Sequence, residues 1–193
     1  MTREAVLDAA VDAIRDRGLE FSVQDAADRA GVSHRTVYRY FETRDALIDA
    51  VAERYEDWLV ERGIRPFGPV DAAVAQIDQL FGLFDEMPDL VRAVALYTLA
   101  GGERTRPSRQ RTERWRADFA AELPHLSREE IEPLFAVCRT LAGSIGWHLL
   151  TSHFDLSAQR ASEGIGQALA AIVADLRRRN DEAAERAATR RGT

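Results

Sequence analysis

The sequence predicts an all-α protein: an N-terminal helix-turn-helix unit followed by a C-terminal helical bundle, about nine helices in total. Three observations carry this. Apolar residues recur at three- and four-residue intervals along almost every segment, and no stretch alternates convincingly as a strand. Ser22, Ser33, Thr43 and Ser127 stand where helix starts need a hydroxyl to satisfy their first N–H groups. Glycines and prolines punctuate the chain between the periodic segments, at Gly18, Gly31, Gly63, Pro66-Phe67-Gly68-Pro69, Pro88 and Gly101-Gly102.

Taken in order, residues 3–17 place Val6, Ala10, Ala13 and Ile14 on one face, and Gly18 supplies a stop. Ser22, with Asp25 three residues on, forms a capping box for a short helix that ends before Gly31. Ser33 caps a second short helix. Thr43 caps a longer one with a buried stripe of Leu47, Val51, Tyr55, Trp58 and Leu59, ending at Gly63. The Pro66–Pro69 stretch reads as a linker. Helices follow over 70–86, 89–100 and 108–123. Ser127 and Glu130 form a second capping box, opening a long helix to about His153. A last helix spans about Ser157 to Arg179, ahead of a polar, frayed tail. The expected domains are residues 1–46 for the helix-turn-helix unit, 47–180 for the bundle and 181–193 for the tail.

The helix over 128–153 is apolar nearly all round. Ile131, Leu134, Cys138, Leu141 and Ile145 make one stripe, Phe135, Ala142, Gly146 and Leu149 a second, and Trp147, Leu150 and Phe154 cover a third side. The final helix carries Ile165, Leu169, Ile172 and Leu176 on one side and the small residues Ala161, Gly164, Ala168 and Ala171 on another. These two helices are expected to bury one face in their own subunit and another against a second copy, giving a homodimeric four-helix interface. A monomer is the alternative.

Composition narrows the class. The 193 residues suffice for a sizeable buried core, and 46% hydrophobic with 30% charged residues is the balance of a soluble globular chain. No apolar run approaches the ~20 residues that span a bilayer, and residues 1–20 lack a signal-peptide pattern, so a cytoplasmic location and no membrane partner are expected. The single cysteine, Cys138, excludes an intrachain disulfide framework and sits in an apolar run as a packing residue. Every basic side chain except histidine is arginine. The net charge of −6 disfavours indiscriminate polyanion binding but leaves room for a local basic face.

Such a face exists. Four arginines and one acid, Glu42, lie between Arg29 and Arg44, interleaved with Tyr38, Tyr40 and Phe41. Two short helices separated by Gly31-Val32-Ser33 have the spacing of a helix-turn-helix, whose second helix reads the major groove. At about 100° per residue, Val37 and Phe41 share one side and Arg35 and Arg39 the opposite one. The apolar pair anchors the helix and aims the arginines outward, with Thr36 and Tyr38 flanking them and Ser33 and His34 at the N-terminal end. Arginine forks match guanine O6 and N7, and a threonine methyl matches that of thymine. Tyrosine hydroxyls and Arg44 suit phosphates, which position a protein without specifying sequence.

The run FSVQDAADRAGVSHRTVYRYFETRDAL, Phe21 to Leu47, resembles the DNA-binding domain of the tetracycline-repressor (TetR) family of bacterial regulators. The matching elements are Ala27, Ala30-Gly31-Val32-Ser33, Thr36-Val37-Tyr38, Tyr40-Phe41, the basic residue at 44 and Leu47. The resemblance covers roughly the first quarter of the chain. It implies a homodimer whose recognition helices enter successive major grooves of a palindromic operator on double-stranded DNA, and a C-terminal domain whose small-molecule effector lowers DNA affinity. Carried over by position, base contacts fall on His34, Arg35, Thr36, Tyr38 and Arg39. Phosphate contacts fall on Ser33, Tyr40 and Arg44, with Ser22 at the preceding helix start. Two departures stand out: Ala26 replaces a larger aliphatic residue, and Arg44 replaces lysine. The sequence also starts close to the first helix, so no long basic arm is expected to explore the minor groove.

Guidance on the effector is thinner. Phe81, Phe84, Met87, Tyr97, Trp115, Phe119, Trp147 and His148 supply large apolar and amphipathic side chains, suited either to the core or to a pocket for an aromatic or lipophilic effector. Residues 104–116 hold six arginines against one glutamate, a solvated helix start or a dock for an anionic group. No enzyme, cofactor or metal motif is present. His148 and His153 stand about 140° apart on a helix, too far round to share a metal, and no phosphate-cradling glycine loop or G-x-S-x-G appears. The competing class is an all-α small-molecule-binding protein or enzyme without DNA-binding activity.

Overall fold

The computed structural model describes residues 3–65, 69–99 and 105–191. Within them lie eleven α-helices, one 3-10 turn and no strand. The chain divides into two compact units, Met1–Gly63 with Leu83–Gln110, and Ile64–Gly82 with Arg111–Thr193. The expected boundary at 46/47 falls inside a helix. Most of the Pro66–Pro69 linker, the Gly101-Gly102 loop and the Tyr97 side chain lie outside the described residues.

The first unit contains α1 (Arg3–Arg17), a 3-10 turn (Gly18–Glu20), α2 (Val23–Ala30), α3 (His34–Tyr40) and α4 (Arg44–Glu61). Val6, Leu7, Ala10 and Ala13 of α1 are buried with Phe21, Val23, Ala26, Ala27, Val37, Phe41, Leu47, Ala50 and Val51 in one cluster. Alanines at the α1–α2 contact let the two backbones approach closely. Ala26, where the family pattern has a larger side chain, is fully buried here. Later in the chain, α7 (Pro88–Leu99) packs on α1 and the 3-10 turn. Arg54 of α4 reaches Asp8 at 2.8 Å and Glu4 at 3.4 Å on α1.

The second unit contains α5 (Val70–Ala75), α9 (Arg128–Leu141), α10 (Ser144–Ser152), α11 (Ala158–Arg191) and parts of α6 (Ile77–Glu86) and α8 (Arg106–Glu122). Phe119 of α8 meets Phe135 of α9 edge-on at 5.4 Å, and Ile165, Leu169 and Leu176 of α11 are buried. Polar ties hold the helices in register. Arg116 grips Glu132 with Nε and a terminal nitrogen (2.8–3.2 Å) while stacking over Phe135. Arg177 bridges Asp71 and Glu122, and Glu122 also accepts the Val70 N–H at 2.8 Å. Buried Asn180 accepts the His125 N–H at 2.9 Å, pinning the α8–α9 turn to α11.

Three expectations require correction. Residues 70–86 form two helices, because Gln76 ends α5 and turns its side chain back to the Ala72 carbonyl and the Arg65 N–H. Residues 128–153 also form two. A Cβ at Gly146 would lie 2.1 Å from the Leu141 carbonyl oxygen, so the backbone doubles back onto α9 where only glycine fits. Phe135 and Ala142 of one stripe, and Ala161 of the small-residue side of the last helix, are buried within their own unit. The presumed tail is helical to Arg191: residues 181–191 are rich in Ala, Glu and Arg, contain no breaker and carry i,i+4 pairs of Glu182 with Arg178 and Arg186.

Cys138 is buried, and burial pushes its thiol up to about 11. It is a packing residue with little thiolate at neutral pH, so a thiol reagent should label the native chain slowly and the urea-unfolded chain rapidly. Gly146→Ala forces overpacking at the α9–α10 turn and should cost about 1–3 kcal/mol. Urea unfolding measures that loss; an unchanged midpoint would refute the close approach.

Candidate nucleic-acid interface

Three consecutive hydroxyl caps build the N-terminal unit's outward face. At α2, Ser22 Oγ accepts the Asp25 N–H at 3.2 Å while the Ser22 N–H donates to the Asp25 carboxylate at 2.8 Å. The Ser22 hydroxyl and N–H, with Arg17 3.1 Å away, hold the Asp25 carboxyl below its usual range. Helix α2 ends at Gly31, left-handed at φ 65°. There the Val32 N–H reaches the Ala27 carbonyl at 3.0 Å and the Gly31 N–H that of Asp28 at 3.1 Å, a Schellman closure. That turn delivers Ser33, whose hydroxyl accepts the Thr36 N–H at 3.2 Å and caps α3. Thr43 caps α4 by accepting the Ala46 N–H at 3.0 Å.

Helix α3 has one buried residue, Val37, and Phe41 follows it into the core at the C-terminal end. With Val37 inward, Arg35 and Arg39 lie within about 20° of the opposite direction, and Thr36 and Tyr38 about 80° to either side. His34, Arg35, Tyr38 and Arg39 are exposed; Thr36 and Tyr40 are half-buried. One flank carries an aromatic pair, His34 edge-on to Tyr38 at 4.7 Å. The other carries hydroxyls: Ser33 and Thr36 share a hydrogen bond of 2.9 Å.

The arginines between 29 and 44 divide their work. Arg29 pairs with Asp16. Arg44 donates from Nε to the Phe21 carbonyl at 3.1 Å and covers the Phe21 ring, tying α4 to the residue before the Ser22 cap. Arg39 lies over the Tyr40 ring at 5.1 Å and donates to its hydroxyl at 3.3 Å. Among the described residues no hydrogen bond or ion pair engages Arg35. The Arg44 tie was invisible in the sequence, because its partner is a main-chain oxygen 23 residues away.

The structure brings Ser33, His34, Arg35, Thr36, Tyr38, Arg39 and Tyr40 onto one short helix and its cap. Ser22 and Arg44 meet through Phe21 at the starts of α2 and α4. The effector candidates are dispersed. Phe84 is buried and stacks near Tyr55 at 6.5 Å, and Met87 is half-buried, both in the first unit. In the second unit Phe81, Phe119 and Trp147 are buried, Trp115 lies 6.3 Å from Phe119, and His148 shares a 3.0 Å hydrogen bond with Ser152. Phe119 also borders a small solvent-open recess with Val70, Leu123, Val173 and Leu176.

In the arginine-rich segment, Arg106 pairs with Glu53 and donates its backbone N–H to the Asp49 carboxylate, and Arg116 binds Glu113 and Glu132. Among the described residues no group of histidine, cysteine and carboxylates has metal-binding geometry, and no helix is long and apolar enough to cross a membrane.

Comparison with known proteins bears on the N-terminal unit. Residues 6–51 match the sequence model for bacterial regulatory proteins of the tetR family. The transcriptional repressor KstR2 of Mycolicibacterium smegmatis is 31% identical over 83 residues, 42% of this chain and 39% of that protein. The transcriptional repressor LfrR of the same species is 38% identical over 79 residues, 39% of this chain and 41% of that protein. The matched stretch thus spans about two-fifths of each relative. A tetR-family transcriptional regulator from Streptomyces coelicolor shares the fold at a TM-score of 0.66 and 21% identity, over 95% of this chain and 85% of its own. A transcriptional regulator from Rhodococcus sp. Rha1 does so at 0.62 and 22%, over 91% and 97%.

The Asp25 capping box sets a pH dependence. Its carboxyl is held low in the folded state, so its contribution to stability is full above the unfolded value of about 3.9 and is lost as pH falls through the lower folded value. The urea midpoint of wild type should exceed that of Asp25→Asn at neutral pH and converge with it in strong acid. Equal midpoints at pH 7 would contradict the capping role.

Proposed function

We propose that the chain, whose residues 6–51 match the model for bacterial regulatory proteins of the tetR family, is a DNA-binding transcriptional regulator of that family that acts as a homodimer on a palindromic operator. The observation that carries this is the division of α3 into a buried anchor, Val37, and an outward face headed by Arg35, on a helix capped and fixed by the turn before it. A helix so held enters a major groove as a rigid reader, and the N–H groups at the starts of α2 and α4 face phosphates from Ser22 and Arg44. His34, Thr36 and Tyr38 complete the base-facing set. Ser33 and Tyr40 join the phosphate contacts.

Residues 1–46 carry DNA binding in this reading, and 47–180 carry effector binding and assembly. Exposed Val137, Leu149 and Phe154 of α9, α10 and the turn after it lie in the unit that also exposes Gly164, Ala168 and Ala171 of α11. Leu149 and Phe154 are 45% and 62% exposed, large apolar side chains that a second copy would cover. Repression, the role in the names of KstR2 and LfrR, extends to this chain as the expected outcome of operator binding. A small aromatic or lipophilic effector would release it, and its place of action is the cytoplasm.

Gel-shift assays with DNA flanking its own gene should show binding in preference to bulk DNA at physiological salt; no preference would end the regulator reading. Arg35→Ala should cost about 1–3 kcal/mol on the preferred site. Sedimentation should find a dimer at micromolar concentration that Leu149→Arg converts to monomer; a wild-type monomer would remove the assembly. Compounds can be screened for release from that DNA.

A further inference from the structure

We infer that Arg35 alone of the two outward arginines specifies sequence, while Arg39 and Tyr40 act together as a phosphate clamp on one wall of the groove. This rests on the DNA-binding reading and assigns roles within it. A helix of about 10–12 Å diameter fills a major groove about 12 Å wide, so its outermost line meets base edges and its flanks meet the phosphate walls. Arg35 and Arg39 both originate near that line, but only Arg35 is left without a hydrogen bond or ion pair among the described residues.

The Arg39 guanidinium is turned aside. It lies over the Tyr40 ring at 5.1 Å and donates to the Tyr40 hydroxyl at 3.3 Å. Tyr40 is half-buried and packs against the core of the unit, so the pair is anchored rather than free to sweep the groove. Tyr40 stands on the Thr36 flank, about 60° from the buried direction of Val37. There it completes a row of hydroxyls with Ser33 and Thr36, which are already joined at 2.9 Å. A guanidinium beside a phenol O–H presents several donors to one phosphate, the recognition that arginine geometry favours. Arg35, at the centre of the face, keeps its fork for guanine O6 and N7.

The test uses the full chain. A preferred duplex is selected from a random-sequence library, and binding to it and to its single-base-pair variants is measured by fluorescence anisotropy across a salt series. Arg39→Ala should weaken every duplex by a similar factor, preserve the ratios between them and lower the salt slope by about one. Tyr40→Phe should weaken binding in the same uniform way. Arg35→Ala should abolish discrimination at one base-pair position per half-site, a loss of about tenfold to hundredfold. Arg35 and Arg39 are exposed, and thermal melts of both variants should match wild type. If Arg39→Ala instead flattens the preference at a base pair, or Arg35→Ala leaves all ratios intact, the assignment is overturned while the regulator reading stands. A wild-type chain that selects no sequence overturns both.

Discussion

Burial of Val37 is the constraint on which the N-terminal unit depends. Helix α3 has seven residues, too few to persist alone in water, where isolated helices shorter than about 12–15 residues are marginal. It exists because Ser33 caps its start and Val37, with Phe41 just beyond, is sealed into a core shared with α1, α2 and α4. The same two side chains set its rotation, and with it which residues face outward. Gly31 completes the constraint, since only its left-handed conformation lets α2 end and α3 begin within three residues.

Charge works in two ways. Several arginines fasten helices together: Arg54 joins α4 to α1, Arg116 joins α8 to α9, and Arg177 joins α11 to α5 and α8. Many of these pairs are partly exposed, and exposed pairs are worth little singly. The bidentate Arg116–Glu132 pair, stacked on Phe135, is better placed to define register. Against that background the unengaged Arg35 stands apart. On the DNA-binding reading proposed above, a net charge of −6 gives weak general attraction for DNA and leaves selectivity to side chains of α3.

Much of the architecture was legible because the physics is local. Caps at Ser22, Ser33, Thr43 and Ser127 announce themselves by residue type and spacing, and each forms its expected hydrogen bond. Helical character and the α3 anchor follow from periodicity alone. The break at Ala142–Gly143 was not legible. Apolar stripes continue smoothly through the turn, and the close approach of Gly146 to the Leu141 carbonyl beside it exists only in the folded backbone. The helical extension to Arg191 was legible in principle, since alanine propensity and i,i+4 pairs are local, but its polarity imitated a disordered end.

By itself, then, the sequence determined the helical character, the four hydroxyl caps and the side of α3 that faces out, because each depends on residues within a turn or two of one another. Tertiary structure alone decided what those outward residues are free to do. Arg44 is drawn to a carbonyl 23 residues away, and Arg39 to a neighbouring ring held by the core. Side-chain chemistry is written in the sequence, but the partner that engages it depends on packing between distant segments.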